Sequence, residues 1–283
     1  MKNILLPTDF SETANTAFLY ALNLAHQLKL RLFVVNTYIT PILSASHAGQ
    51  PEMLAEVYQQ VETSRLEFFK NQVPLLRALA EKQGLPHEQI VFFFEEGTVL
   101  SSVKKLIAEE EIDLIIMGTN GASGFQKSFI GTNTVAVINN VKLPVLAIPG
   151  HAKYQPIKNI AFTTLFRDKD EPALQEVISI AEALKSKIYC VNVMGNINAP
   201  GDLLYYGETW SRKFKSADLD FVFLEKRQSV EDTIHAFIRE NNMDLLAIVK
   251  RNRSFFDRLI NASLSNKFAF HAETPILVFH EDN

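Results

Sequence analysis

The chain has 283 residues, of which 47% are hydrophobic and 21% charged, and its formal net charge is −4 at pH 7. This composition is typical of a globular chain of one or two domains, and its acidic balance excludes a general nucleic-acid binder, which needs a basic face to neutralise phosphates. The single cysteine, Cys190, excludes an internal disulfide and a cysteine-based zinc cluster.

The N-terminal segment begins with a short apolar run that Asp9 interrupts. The run is too short for a signal sequence or a membrane span, so we predict a cytoplasmic protein without a membrane partner. Further along the first half, helices are expected within Pro51–Gln83 and from Thr132 to Asn140. The five predicted strands of this half are Ile4–Leu6, Leu32–Asn36, Ile90–Phe94, Leu114–Met117 and Val145–Ile148.

The second half repeats the first. Residues Lys2–Phe10 (KNILLPTDF) recur as Lys158–Phe166 (KNIAFTTLF), 156 positions on, and the segment that begins at Asp113 recurs from Asp244, 131 positions on. The difference between these offsets falls where the first copy has its long second helix. We predict an α/β fold of two tandem, five-stranded, parallel-sheet (Rossmann-like) domains, residues 1–150 and 151–283, with a linker at 149–156.

The most informative motif is Gly118-x2-Gly121-x9-Gly131-Thr132, between the fourth strand and the next helix. Glycines let backbone N–H groups approach an anion, and the helix N-terminus adds unpaired donors and a partial positive charge. In an open parallel sheet, ligands bind beyond the carboxyl ends of the strands where the strand order reverses, and Asp9 lies there with Gly118. The pattern predicts a site for a nucleotide phosphate tail, although Asp9 also suits a second role as a helix cap.

Together with PTDFSETA near the N-terminus, this motif and the repeat resemble the universal stress protein family in its tandem form. The resemblance covers nearly the whole chain and implies that the first domain binds ATP, or AMP or ADP, with Mg²⁺ arriving on the nucleotide. It implies adenine contacts from Asp9 and Val35, a ribose region at Met117 and Gly118, and phosphate contacts from the glycine motif. The candidate nucleotide-binding residues are Thr8, Asp9, Val35, Met117, Gly118, Gly121, Gly131, Thr132, Asn133 and Thr134.

The second copy departs from the motif at five positions. Each lost glycine adds a Cβ where the backbone must approach phosphate, so we predict that this domain does not bind ATP and has a structural or regulatory role. Its basic stretch at 250–253 favours a solvated loop over guanidinium groups that fill the phosphate space. The replacements are Leu165 for Asp9, Val249 for Gly118, Asn252 for Gly121, Ala262 for Gly131 and Ser263 for Thr132.

No catalytic apparatus is evident in the sequence. A GxxxxGK[ST] loop and a GxSxG elbow are missing, and the seven histidines lack metal-ligand spacing, so we predict no catalytic residue and no metal site made by the protein alone. Two alternatives to simple ATP binding stay open. One is a slow ATPase, and the other is a scaffold or small-ligand carrier with an apolar pocket around Phe162, Leu165 and Phe166.

The fifth strands of the two copies, Val145–Ile148 and Ile276–Phe279, are apolar and would leave unpaired backbone groups at a sheet edge. This edge chemistry and the resemblance to the family together suggest the hypothesis that the two domains pair through these strands. Whether the chain also forms a homo-oligomer stays open.

Overall fold

The computed structural model describes residues 1–40, 51–119, 131–194, 200–215, 217–251 and 274–281, without the side chains of 51–54 and 200–204. Strands and helices alternate through both halves. The first half comprises β1 (Asn3–Pro7), α1 (Glu12–Leu28), β2 (Arg31–Tyr38), α2 (Pro51–Lys82), β3 (Ile90–Glu96), α3 (Val99–Glu109), β4 (Leu114–Gly118), α4 (Thr132–Asn140) and β5 (Val145–Ile148). The second comprises β6 (Asn159–Thr163), a 3-10 turn (Asp168–Asp170), α5 (Glu171–Leu184), β7 (Lys187–Met194), α6 (Pro200–Lys213), β8 (Leu219–Glu225), α7 (Val230–Glu240), β9 (Leu245–Lys250) and β10 (Ile276–His280).

All these strands form one sheet in the order β3-β2-β1-β4-β5-β10-β9-β6-β7-β8. Within each half the neighbouring strands are parallel, and the order reverses between β1 and β4, and again between β6 and β9. The predicted α/β fold of two tandem parallel-sheet halves is confirmed. The predicted difference in the second helix is confirmed too, since α2 has 32 residues and α6 has 14.

The two halves join through β5 and β10, which pair antiparallel. Leu146 lies opposite Leu277, its counterpart in the repeat, so the joint has the local symmetry of a twofold axis. This pairing gives each apolar strand the neighbour that it would otherwise lack. The predicted pairing of the fifth strands is confirmed.

Helices cover both faces of the sheet. One apolar core lies under α1, α2, α5 and α6 and runs through both halves, and a second lies under α3, α4 and α7. α1 packs against α5 across the joint. No helix in the described part of the chain is long and apolar enough to cross a membrane.

The repeat is also visible in the hydrogen bonds that hold the end of the first strand of each copy. The side-chain amide of Asn36 donates to the Thr8 carbonyl at 2.8 Å, and that of Asn192 donates to the Thr164 carbonyl at 2.8 Å. Both bonds link the carboxyl ends of neighbouring strands. They fix the geometry of the edge at which a doubly wound fold binds its ligands.

Candidate functional site

A cleft of about 350 Å³ opens at the carboxyl ends of β1, β2 and β4 in the first half. Its volume lies in the range of small-molecule sites. Eight of the ten residues predicted from the sequence line it: Thr8, Asp9, Met117, Gly118, Gly131, Thr132, Asn133 and Thr134. The other lining residues, which the sequence analysis missed, are Pro7, Ala14, Asn36, Thr37 and Val99.

The two remaining predicted residues are placed differently. Val35 does not line the cleft, because its side chain is fully buried in the core and its carbonyl accepts the Thr8 N–H at 2.8 Å. Its position therefore fixes the end of β1 and, through it, the start of the cleft. Gly121 lies outside the described residues.

The turn from β1 into α1 carries Asp9 to the cleft. Phe10 has a left-handed backbone, with φ 60°, an uncommon conformation for a bulky residue, and its N–H donates to Thr8 Oγ1 at 3.0 Å. The Asp9 carboxylate accepts the Ser11 N–H at 3.0 Å, while Ser11 itself caps α1 by accepting the Ala14 N–H. Asp9 thus accepts a backbone N–H just ahead of α1 and borders the cleft, while the helix cap considered for it is Ser11.

The second copy makes the same turn without a carboxylate. Phe166, the counterpart of Phe10, has φ 55°, and its N–H donates to Thr164 Oγ1 at 2.8 Å. Leu165 occupies the position of Asp9 and is 37% exposed. Since the same turn forms in the second copy with leucine in place of Asp9, the turn of the first copy does not need the Asp9 carboxylate in order to form.

The amino end of α4 faces the cleft without a side-chain cap. Its N-cap residue is Gly131, and its first turn contains no acidic residue. By contrast, α1, α3 and α7 are capped by the hydroxyls of Ser11, Thr98 and Ser229. The first-turn N–H groups of α4 and the positive end of its dipole are therefore available to an anion in the cleft.

Two further bonds fix this end of α4. The Thr134 hydroxyl donates to the Gly118 carbonyl at 2.9 Å, and the Gly131 N–H donates to the Thr119 carbonyl. The end of β4 and the start of α4 thus form one unit on the cleft wall.

Gly118 meets a steric demand in addition to any role with phosphate. A Cβ at this position would lie 2.9 Å from Thr13 Cγ2 and 3.1 Å from the Thr13 carbonyl oxygen, so α1 passes too close for a side chain. In the second copy the corresponding part of the first helix is the 3-10 turn, and Val249 is buried at the position of Gly118. The first turn of this helix therefore differs between the copies.

We expect Gly118→Ala to lower the free energy of unfolding by about 1–3 kcal/mol, because the added methyl group meets the backbone of Thr13. Urea denaturation measures the change. Gly207→Ala is the matched control, since the Cβ there would make an ordinary contact with Phe221 at 3.5 Å in a helix that alanine favours. Equal stabilities of the two variants would contradict the steric assignment.

In the second copy, a carboxylate and a guanidinium lie at the corresponding edge. Asp170, the counterpart of the cleft residue Ala14, is fully buried and accepts hydrogen bonds from the Thr164 hydroxyl at 2.8 Å and the Leu165 N–H at 3.0 Å. Its second oxygen pairs with Arg251, which follows β9 and whose side chain is 19% exposed. The interpretation of this stretch as a solvated loop is therefore wrong for Arg251 and for Lys250, which ends β9 and donates to α4. Asn252 and Arg253 lie outside the described residues.

The apolar side chains of the second copy that suggested a carrier pocket are largely in the core. Phe162 and Phe166 are fully buried, and Phe166 packs against Trp210, Phe221 and Phe223 with ring centroids 5.1–5.9 Å apart. The two phenylalanines thus serve packing.

The reactive side chains offer little chemistry beyond binding. Burial raises the pKa of the Cys190 thiol to about 12, so this cysteine is not a nucleophile at neutral pH. Asp9 is the only carboxylate among the described residues that line the cleft. The described residues contain no group of three or more histidine, cysteine or acidic side chains that would hold a metal ion.

The fold and the cleft define a tandem, doubly wound α/β protein with a cleft at the carboxyl ends of the strands in its first half. The model of the universal stress protein family matches residues 1–149, and the chain belongs to this family. The universal stress protein Slr1230 of Synechocystis is 24% identical over 99% of this chain and 100% of its own length. The tandem arrangement is therefore shared along the whole chain.

Shorter relatives match one half. The universal stress proteins MJ0531 and MJ0577 of Methanocaldococcus jannaschii are 25% and 26% identical, and each match covers 52% of this chain and 81% or 94% of the relative. Among solved structures, a universal stress protein of Archaeoglobus fulgidus has a TM-score of 0.66 at 15% identity, over 99% of this chain and 98% of that one. This structural likeness shows a shared fold.

Proposed function

We propose that the protein is an ATP-binding universal stress protein whose first half holds the nucleotide, while its second half has a structural or regulatory role. The uncapped amino end of α4 beside the cleft is the observation that carries this proposal. A helix end of this kind binds phosphate through its backbone N–H groups and its dipole. Ser11, Thr98 and Ser229 instead cap the starts of α1, α3 and α7 with their own hydroxyl side chains.

The residues of the cleft fit the parts of an adenine nucleotide. Gly131 and the first turn of α4 offer donors to the phosphates, while Met117 and Val99 add apolar surface for the base or ribose. The Asp9 carboxylate accepts hydrogen bonds from a sugar hydroxyl or a base amino group. The adenosine monophosphate part that AMP, ADP and ATP share binds in the same way in all three. The additional phosphates of ATP extend toward the amino end of α4.

Mg²⁺ would arrive with the nucleotide. It keeps several waters and binds mainly through phosphate oxygens in such sites, so the single carboxylate at the cleft suffices. Among the described lining residues, one carboxylate and a few hydroxyls do not neutralise the charge that builds up in phosphoryl transfer, which supports binding without rapid turnover.

The second half supports a role other than nucleotide binding. Asp170 and Arg251 pair where an open cleft would need room for a ligand, and the valine at position 249 replaces a glycine of the motif. Both differences reduce the space and the backbone donors available to a phosphate. We therefore assign a single nucleotide site to the chain.

Calorimetric titration of the purified protein with Mg-ATP, after removal of copurified nucleotide, tests the proposal. We expect saturable binding with a stoichiometry of about one per chain, since among the described residues the cleft with the uncapped start of α4 lies in the first half, and Asp170 and Arg251 pair at the corresponding edge of the second. Two equal sites would overturn the assignment of the second half. No binding of ATP, ADP or AMP would overturn the nucleotide site and return the scaffold hypothesis to first place.

A further inference from the structure

The carboxyl end of α4 is held by the second half of the molecule. Lys250, the last residue of β9, reaches across the joint, where its ammonium donates to the Ile138 carbonyl at 3.3 Å and to Asn139 Oδ1 at 2.5 Å. Both acceptors lie in the last turn of α4. A cation at this end is favourable, because the last carbonyls of a helix are unpaired and carry the negative end of its dipole.

His280 lies beside this contact. It is paired in register with Lys250 across β9 and β10. Burial, followed by the positive charges of Lys250 and Lys142, lowers the pKa of His280. The imidazole is therefore neutral at pH 7, and Lys250 supplies the charge at the helix end.

We infer that Lys250 is a positioning residue for the nucleotide site of the other half. This inference rests on the proposed function, in which the opposite end of the same helix binds phosphate. α4 has nine residues and spans about 13 Å, and Val137 and Ile138 on it are fully buried, so the helix is short and firmly packed. Fixing its carboxyl end therefore restricts where its amino end lies.

The repeat supports a specialised role for this lysine. Lys250 occupies the position of Thr119 in the first copy, 131 residues earlier, and Thr119 is a buried hydroxyl residue rather than a cation. The next residue, Arg251, forms a salt bridge with Asp170 at the corresponding strand ends of its own copy. Two adjacent cations thus lie at the end of β9. Arg251 binds a carboxylate of the second half, and Lys250 binds a helix of the first half.

The coupling is tested with Lys250→Met, Lys250→Arg and a matched control, Lys187→Met. Lys187 lies at the start of β7 and forms a salt bridge with Asp220 at 2.8 Å within the second half, so its loss removes a lysine charge away from α4. We expect Lys250→Met to weaken Mg-ATP binding about 3- to 30-fold, with recovery in Lys250→Arg and no change in the control.

A second measurement does not depend on nucleotide. In the nucleotide-free protein, we expect amide hydrogen exchange in the α4 peptide to become about 3- to 10-fold faster in Lys250→Met, while the control stays at the wild-type rate. Unchanged exchange would overturn the positioning role, whatever the affinities. If wild type binds no nucleotide but the exchange rates differ, the proposed function fails, and the part of the inference that places Lys250 as the anchor of α4 stands.

The two measurements together separate positioning from general loss of stability. Faster exchange confined to α4 supports the inference, whereas faster exchange spread over the whole sheet in Lys250→Met would overturn it in favour of a purely structural role. A double variant with Asn139→Ala adds a further check. Because Lys250 acts partly through Asn139, the effects of the two substitutions on Mg-ATP binding should be less than additive.

Discussion

Replacement of Gly131 by aspartate is expected to weaken Mg-ATP binding about 10- to 100-fold without destabilising the fold. Gly131 is the N-cap of α4, with φ −64° and ψ 157°, which any residue adopts. An aspartate there would accept a first-turn N–H and bring a negative charge close to the phosphates. The N-cap bond itself adds a few tenths of a kcal/mol to stability relative to glycine. Binding and stability should therefore change in opposite directions.

Gly131→Asn is the matched control, because asparagine has nearly the same shape and caps helices as well as aspartate does. Calorimetry gives the affinities, and urea denaturation gives the stabilities. If the phosphates lie at this helix end, the asparagine variant keeps most of its affinity and the aspartate variant loses it. Wild-type affinity in both variants would place the phosphates elsewhere, and an equal loss of affinity in both would point to the added side chain rather than to its charge.

The fold was largely predictable because its strands have a simple local signature. Apolar runs such as Leu114–Met117 form buried parallel strands at the predicted positions, and α4 spans the residues expected for it, Thr132–Asn140. The prediction of the joint between the halves came from the family resemblance together with the argument that an apolar edge strand needs a neighbour. Each of these features depends on residues close in sequence or on a repeated pattern.

The candidate site was predictable where a motif marks it and less so elsewhere. Asp9 and the end of β4 were found from the glycine motif and the strand order, whereas Asn36, Thr37 and Val99 carry no pattern of their own. A signal for them did exist, since Asn36 and Thr37 lie near the carboxyl end of β2 and Val99 begins the helix that follows β3, at the edge of the sheet where ligands bind. Val35 was placed on the cleft by resemblance, and its side chain is in the core.

The contacts of the second half could not be predicted, because they join residues far apart in sequence. Arg251 and Asp170 are 81 positions apart, and Lys250 and Asn139 are 111 positions apart. A run of basic residues predicts a solvated loop when it is considered alone. It is the strand order, with β9 between β6 and β10, that brings these cations to a buried carboxylate and to the helix of the other half.

The largest effect on stability is expected from Asp170→Ala, which should lower the free energy of unfolding by about 3–5 kcal/mol. The carboxylate is fully buried, and its removal leaves the Arg251 guanidinium without its main partner. The Thr164 hydroxyl and the Leu165 N–H also lose their acceptor. Unpaired buried charges and donors are costly, because water cannot replace the lost bonds.

Asp168→Ala is the control for this substitution, since Asp168 lies in the same 3-10 turn but is exposed. Urea denaturation of both variants measures the difference, and we expect a change within about 0.5 kcal/mol for the control. Near-wild-type stability of Asp170→Ala would mean that the Asp170–Arg251 pair does not stabilise the second half. Because Asp170 and Arg251 belong to the second half, the Asp170→Ala variant should still bind about one Mg-ATP per folded chain. A second nucleotide site in this variant would show that the Asp170–Arg251 pair alone keeps nucleotide out of the second half.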